Sequence, residues 1–212
     1  MALTISAIVT AFILQQSRQA SSSTGAETMA GNSTARPGGP PPVLFEIPDF
    51  SLTNQAGLTV TRDSLRGQVW IADIIFTRCA GPCPEMTRRM AEIQAALPVK
   101  APVRFVTLTT NPEYDTPSVL QAHARRFGAQ PERWHFLTGT KKQIVDLAVG
   151  GLKLTALDKD ADKQENPNDL FIHSILFVVI DKQGRARVVI ESDDAAVKLK
   201  TLAAVQQLLD EK

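Results

Sequence analysis

Two cysteines, Cys79 and Cys83, are the only ones in the 212-residue chain, and three residues separate them. They lie within Ile71–Met86, where an apolar run leads directly into the pair. Two thiolates at this spacing can hold a soft metal ion, or they can be oxidised to a disulfide. An oxidised pair cannot bind metal, so the two states exclude each other. The pair therefore predicts metal or redox chemistry.

The elements that must position these thiols are readable on both sides of them. Trp70–Phe76 is almost wholly apolar, which predicts a strand buried on both faces of a parallel or mixed sheet. Pro84 suits the first turn of a helix, which we expect to run to about Ala96. The free N–H groups and dipole at the start of a helix favour a thiolate there. Met86 and Met90, four residues apart, fit a core stripe of that helix better than they fit thioether ligands.

The remaining pattern predicts an alternation of strands and helices. The predicted strands are Phe50–Leu52, Leu58–Val60, Val103–Thr109, Trp134–Leu137, Ile172–Ile180 and Ala186–Glu191. The predicted helices are Pro117–Phe127 behind the cap Thr116, a helix capped by Thr140 and ending at Gly150–Gly151, and Ala195–Leu209. The charged stretch Leu157–Asn168 is predicted to be a solvated loop. This order indicates an α/β fold, a thioredoxin-like three-layer sandwich with a central mixed sheet and the thiols at the carboxyl edge of a central strand.

The chain divides into three predicted regions. Residues 1–15 are apolar and precede the first charge, Arg18, which predicts a membrane anchor or export signal. Residues 16–42 are rich in Ser, Gly and Pro and form a predicted flexible linker. Residues 43–212 form the predicted folded domain. A short apolar start followed by a flexible arm is typical of a tethered domain, which we expect on the extracytoplasmic (periplasmic or outer) side of a membrane.

The charge balance bears on possible partners. The chain has 23 Lys and Arg against 22 Asp and Glu. Proteins that bind nucleic acid carry an excess of positive charge, which this composition lacks. We therefore expect no nucleic-acid partner.

Several spaced motifs together resemble the SCO/SenC family. They are Phe76–Pro84 around the cysteines, Asp115–Pro117, Trp134 with Leu137–Gly139, and His173-Ser174 ahead of an apolar strand and the turn Asp181–Gly184. They occur in the family's order and span the chain from about Phe45 to the last hairpin. The resemblance implies a membrane-tethered, thioredoxin-fold copper protein that assists metallation of the dinuclear copper centre of cytochrome c oxidase. It also implies copper ligation by Cys79, Cys83 and His173.

The donor types agree with that implication. Two thiolates and one imidazole suit Cu(I) and can also hold Cu(II). A closed structural zinc site usually needs four ligands, and the chain has no second cysteine pair to complete one. His173 by itself would be read as a structural histidine, but Phe171–Ser174 lacks the proline that usually faces the thiols in thioredoxin-like folds. His123 and His135 have no comparable setting and are predicted to be structural or solvated.

Asp73 leaves two interpretations open. It lies six residues before Cys79 in an otherwise apolar strand, the position of the buried acid of thioredoxins. Burial would disfavour its ionisation, so that it could exchange protons with a thiol near neutral pH. Alternatively, it faces a polar edge and pairs with a nearby base.

Two functions follow, and we expect a metallochaperone rather than an enzyme. In the first, the protein delivers copper to the copper-site subunit of cytochrome c oxidase, with another copper chaperone or a thiol reductase as a further partner. In the second, it is a thiol–disulfide reductase that keeps the oxidase cysteines reduced, with Cys79 attacking. A peroxiredoxin-like peroxidase is disfavoured because no Pro precedes Cys79 at the peroxidatic spacing.

Overall fold

A mixed sheet of eight strands carries the fold in this computed structural model, which describes residues 39–163 and 171–211. Its strands are β1 (Phe45–Glu46), β2 (Ser51–Asn54), β3 (Thr59–Thr61), β4 (Val69–Ile75), β5 (Val103–Thr109), β6 (Trp134–Thr138), β9 (Leu176–Ile180) and β10 (Arg185–Glu191). The spatial order is β1-β10-β9-β4-β5-β6-β2-β3. Strands β4, β5 and β6 are parallel, and the others pair antiparallel.

Helices cover both faces of this sheet. They are α1 (Cys83–Ala96), α2 (Pro117–Arg126), α3 (Lys141–Val145), which continues into a wider turn over Asp146–Gly151, and α4 (Val197–Asp210). Apolar residues of α1, α2 and α4 pack in one core with one face of β4, and those of α3 and its extension pack in a second core with the other face. The result is the predicted three-layer α/β sandwich.

Alternation along β4 explains the two cores. All seven of its residues are buried. Val69, Ile71 and Ile75 enter the core beneath α1, and Trp70 and Ile74 enter the opposite core. Since successive side chains of a strand point to opposite faces, a strand covered on both sides is apolar nearly throughout, and Asp73 is the single exception in β4. The buried central strand predicted from Trp70–Phe76 is therefore confirmed.

Helix ends follow the local sequence signals. Thr116 accepts a hydrogen bond from the Val119 N–H at the start of α2, with Pro117 in the first turn. Thr140 and Gln143 form the predicted capping box at the start of α3. Both caps provide acceptors for N–H groups that have no intrahelical partner at the start of a helix.

Two predictions on the segment before the last hairpin are wrong. Leu157 was expected in a loop, but it lies in β7 (Ala156–Asp158), which pairs with β8 (Phe171–His173) in a separate two-stranded sheet. The predicted strand Ile172–Ile180 is interrupted at Ser174, whose backbone N–H and side-chain oxygen both bond Thr155. These bonds hold the preceding residues in the small sheet, so that the strand of the main sheet, β9, begins only at Leu176.

Some predictions fall on other parts of the chain. The predicted anchor at 1–15, most of the predicted linker at 16–42, and residues 164–168 of the predicted loop lie outside the described residues. Within the described part, Asp158 and Asp160 of the charged run pair with Lys141 and Lys163. Among the helices described, none combines the length and the apolar character needed to span a membrane.

Candidate metal centre

The end of β4 brings Cys79 to the carboxyl edge of the sheet. The chain leaves β4 at Ile75 and turns, and the Cys79 N–H donates to the Phe76 carbonyl at 3.2 Å. The Thr77 N–H donates to the Asp115 carboxylate at 3.1 Å, and the Thr77 hydroxyl donates to the same carboxylate. Asp115 is fully buried. The loop that bears Cys79 is therefore fixed to the body of the domain on its strand side.

The start of α1 positions Cys83. Cys83 is the first residue of the helix, between Pro82 at the cap and Pro84 in the first turn. Its side chain is 1% exposed and joins the core beneath the helix. The Gly81 N–H donates to the Cys79 sulfur at 3.3 Å. The amino end of a helix and a donating N–H both stabilise negative charge on sulfur.

His173 reaches the thiols from β8 of the small sheet. Its Nδ1 lies 3.1 Å from the Ser174 carbonyl oxygen, which can only accept, so Nδ1 carries a proton and donates it. Its Nε2 faces the Cys83 sulfur at 3.1 Å. The Phe76 ring packs edge-on against the imidazole with centroids 5.9 Å apart. The imidazole is thus oriented with Nε2 toward the thiol pair.

The structure brings together the three side chains that the sequence singled out. The sulfurs of Cys79 and Cys83 and a ring nitrogen of His173 all lie within 4.8 Å of one another. Both thiols are free rather than joined in a disulfide. No other group of three or more His, Cys, Asp or Glu side chains in the described parts of the chain converges in this way. The cluster could hold one metal ion.

The two thiols differ in environment. The pKa of Cys79 is lowered to about 4, chiefly by a hydrogen bond from Cys83 and also by His173 and the Gly81 N–H, against the opposing effect of burial. The pKa of Cys83 is raised, first by its burial, then by its hydrogen bond to Cys79 and by the negative charge there. Exposure and hydrogen bonding therefore both favour Cys79 over Cys83 as the site of the first negative charge.

This asymmetry predicts selective alkylation. In the reduced, metal-free chain at pH 6, iodoacetamide is expected to modify Cys79 first, because it is the more exposed thiol and already ionised. Peptide mass spectrometry at short reaction times reads out the modified residue. A Cys79→Ser chain serves as the control and is expected to react far more slowly. Equal early labelling of both cysteines would contradict the assignment.

Asp73 lies on the sheet behind the cluster, on the same face as α1. It is fully buried, and its Oδ1 accepts a hydrogen bond from the Thr107 hydroxyl at 2.6 Å. Its Oδ2 has no partner among the described residues. Burial raises its pKa to about 7, opposed by the Thr107 hydrogen bond and the charge of His173. The alternative of a polar edge with a paired base is wrong, because no base bonds this carboxylate within the described part of the chain.

The other two histidines occupy structural positions. His123 is 9% exposed, packs on Phe127 and Phe136, and lies 3.4 Å from the Thr87 hydroxyl. The Nδ1 of His135 lies 3.3 Å from the Asn54 side-chain nitrogen. Neither histidine belongs to the cluster.

The methionines are also structural. Met86 and Met90 are 1% and 0% exposed, and both pack in the core beneath α1. The predicted core stripe is therefore what the structure shows.

Asp115 is the positioning residue that the sequence reasoning missed. In the sequence it is only one residue of the Asp115–Pro117 motif, but its carboxylate accepts hydrogen bonds from Thr77 ahead of the cysteines and from the hydroxyl of Thr109 at the end of β5. The only local signal was an acidic residue just before the helix start Thr116-Pro117. Nothing local connects it to a threonine 38 residues earlier.

Comparisons with known proteins point to one family. The family model described as SCO1/SenC matches residues 43–209. Among curated proteins, the chain is similar to the SCO1 protein homolog of Bacillus subtilis (strain 168), with 32% identity over 146 residues, or 68% of this chain and 72% of that protein.

Solved structures agree with this match. The SCO1/SenC family lipoprotein of Bacillus anthracis str. Ames superposes with a TM-score of 0.68 at 27% identity, covering 78% of this chain and 96% of that one. BsSco superposes with a TM-score of 0.69 at 28% identity, covering 82% of this chain and 98% of that one. That protein is described with a disulfide switch and as a member of the Sco family of cytochrome c oxidase assembly proteins. ScoI of Bradyrhizobium japonicum, solved with copper bound, superposes with a TM-score of 0.65 at 21% identity, covering 77% of this chain and 99% of that one. At this identity the similarity shows a shared fold.

The agreement extends from the sequence to the architecture. The matched residues include β4, α1 and the segment that carries His173. The chain therefore belongs to the SCO1/SenC family.

Proposed function

We propose that this protein carries copper on Cys79, Cys83 and His173 and delivers it to the copper-site subunit of cytochrome c oxidase. The observation that carries the proposal is the convergence of two free thiols and one imidazole nitrogen within 4.8 Å. The family membership and the description of BsSco as one of the cytochrome c oxidase assembly proteins support the choice of partner.

The donor set suits copper as cargo. Two thiolates and an imidazole are soft or borderline donors, which Cu(I) prefers and which Cu(II) accepts. Three protein donors leave the metal less enclosed than the four of a closed structural zinc site. The copper bound to ScoI of Bradyrhizobium japonicum is consistent with this cargo in a protein of the same fold.

The positions of the two thiols set the order in which a partner would replace the copper ligands. Cys79 is partly exposed at the end of β4, whereas Cys83 is buried at the start of α1. A thiolate of the partner can replace Cys79 first, and Cys83 and His173 hold the copper until further partner donors bind. Stepwise replacement of this kind keeps the copper from being released as a free ion.

A membrane tether completes the proposal. The apolar segment at 1–15 and the linker at 16–42 would hold the domain on the extracytoplasmic side, where it meets the oxidase. The similarity to a Bacillus anthracis lipoprotein supports attachment to a membrane. Another copper chaperone would load the site, or a thiol reductase would maintain its reduced state.

A thiol–disulfide reductase is the second candidate, favoured by the partly exposed Cys79 and the buried Cys83. The Cys79 thiolate would attack a disulfide of the partner and form a mixed disulfide, releasing one partner thiolate. Cys83, on losing its proton, would then attack Cys79 and release the second partner thiolate. This chain would end oxidised as Cys79–Cys83, and the partner would gain two electrons from the thiols, one proton from Cys83 and one from water.

A transfer assay separates the two candidates. The full chain is reduced, loaded with Cu(I), and mixed with the metal-free, reduced copper-site domain of an oxidase subunit. The two proteins are then separated, and the copper bound to the domain is measured. A parallel assay measures reduction of that domain's disulfide without copper. His173→Ala is compared with His135→Ala, which removes a histidine outside the cluster.

The expected outcomes differ sharply. We expect the wild type and His135→Ala to metallate the partner, and His173→Ala to fail while still reducing the disulfide, since thiol exchange does not need the imidazole. Delivery by His173→Ala at the wild-type rate would overturn the carrier proposal. Reduction without metal transfer by the wild type would leave the reductase as the function.

A further inference from the structure

A second concave site lies at the opposite edge of the sheet from the thiols. The cavity has a volume of ≈ 500 Å³, and its lining includes Gln68, Arg104 and Arg133. These residues stand at the amino ends of β4, β5 and β6, whereas the cysteines lie beyond the carboxyl end of β4. Seven residues of β4 separate the two edges, which is about 20 Å of extended chain.

The cavity is positively charged. Lys100, Arg104 and Arg133 line it, and none of them forms an ion pair with a carboxylate in the described part of the chain. Glu132 is the one acidic residue of the lining, and it is exposed. A cleft lined mainly by one sign of charge concentrates ions of the opposite sign.

Arg133 is the unusual member of this set. It is 4% exposed, and its Nη1 donates to the Gln130 side-chain oxygen at 3.3 Å. Its Nε and Nη2 are buried and have no hydrogen-bond partner among the described residues. Its guanidinium also lies 5.9 Å from the centroid of the Phe105 ring. A buried cation without a counter-ion is costly, so the position favours occupation by an anion.

The donor chemistry narrows the class of anion. A guanidinium presents its N–H groups in a planar fork that matches the oxygens of phosphate. The buried Oε1 of Gln68 also lacks a partner in the described part of the chain and can accept from a hydroxyl group. Val99 and two prolines, Pro102 and Pro131, add apolar lining. The cavity therefore suits a phosphate attached to a small hydroxylated organic group.

We propose that this cavity binds a phosphate monoester or a phospholipid headgroup, with Arg133 and Arg104 on the phosphate and Lys100 at the rim. The two sources share the phosphate chemistry and differ in whether the ligand is free or part of a membrane surface. Binding here is independent of the metal cluster, because the two sites lie at opposite edges of the sheet.

Calorimetric titration of the reduced, metal-free full chain with glycerol phosphate tests the proposal, with glycerol as the neutral control. We expect binding of glycerol phosphate alone, weakened about tenfold or more by Arg133→Gln and by Arg104→Gln, and less by Lys100→Gln. Lys198→Gln, an exposed lysine on α4, is the matched control and should bind as the wild type does. If Arg133→Gln fails to fold, Lys100→Gln still tests the proposal, because replacing an exposed lysine should leave the fold intact.

Vesicle binding separates the two sources. Wild type and Arg133→Gln are mixed with vesicles of phosphatidylcholine, with and without phosphatidylglycerol, and the bound fraction is measured by flotation. A preference for the anionic vesicles that depends on Arg133 identifies the headgroup, and binding of glycerol phosphate without such a preference identifies a free ester. The same N-terminal segment is present in both chains, so it contributes equally. If neither probe depends on the basic residues, the proposal is overturned.

Discussion

Replacing Asp115 by Ala is expected to lower the free energy of unfolding by about 3–5 kcal/mol, because three buried or partly buried donors lose their acceptor at once. The donors are the N–H and hydroxyl of Thr77 and the hydroxyl of Thr109. Urea denaturation of the reduced, metal-free chain measures the change. Asp193→Ala, an exposed aspartate on the loop before α4, is the control and should change stability by less than about 0.5 kcal/mol.

The same substitution should loosen the cysteine loop. Thr77 is two residues before Cys79, so release of Thr77 removes the tether on the strand side of the metal cluster. We expect copper to bind more weakly even in those Asp115→Ala molecules that remain folded. Stability within about 1 kcal/mol of the wild type, together with unchanged copper affinity, would contradict the positioning role of Asp115.

The second large effect is a pH dependence of stability caused by Asp73. Its pKa in the folded chain is raised to about 7 by burial, whereas the unfolded chain ionises near the usual value of 3.8. Between these values the folded state holds a proton that the unfolded state has released, so stability falls as the pH rises from about 4 to 7. A shift of about three units corresponds to roughly 4 kcal/mol.

Asp73→Asn isolates this contribution. The free energy of unfolding of the wild type minus that of the variant should fall by roughly 4 kcal/mol between pH 4 and 7 and then level off above pH 7. Denaturation of both reduced, metal-free chains at several pH values gives this difference directly. Two curves that stay parallel across the range would show that Asp73 is ionised in the folded state throughout.

His123 is the reason for comparing two curves rather than one. Burial lowers its pKa to about 4, with a smaller contribution from the charge of Arg126. A base with a lowered pKa adds stability as the pH rises from 4 to 6.5, the opposite sign to Asp73. The two effects partly cancel in the wild type. The Asp73→Asn chain should therefore become more stable with rising pH in this range.

Periodicity and capping signals predicted most of the main sheet. The strand Val103–Thr109 has the bounds read from the sequence, and α1 ends at Ala96 as expected. Both are long apolar or amphipathic segments bounded by proline, for which local signals and burial agree. The small sheet was missed because β7 and β8 are only three residues long. A strand of that length is defined by its partner rather than by its own pattern.

The candidate site, like the fold, was predictable from the sequence only in part. The residue types of Cys79, Cys83 and His173 were readable, since they carry chemistry that few other side chains offer. The contact between Thr77 and Asp115 was not, because it depends on how the loop after β4 meets the loop after β5. The full burial of Asp73 was one of two open alternatives, and only the packing of α1 over β4 decides between them.

The central claim is that Cys79, Cys83 and His173 form one copper site, and Cu(I) titration of the reduced full chain against a chromophoric competitor tests it most directly. We expect one tightly bound copper per chain, with an affinity at least about a hundredfold weaker in His173→Ala and unchanged in His135→Ala. Loss of binding in both Cys79→Ser and Cys83→Ser should accompany this. Copper binding that is indifferent to His173, or absent from the wild type, would contradict the account.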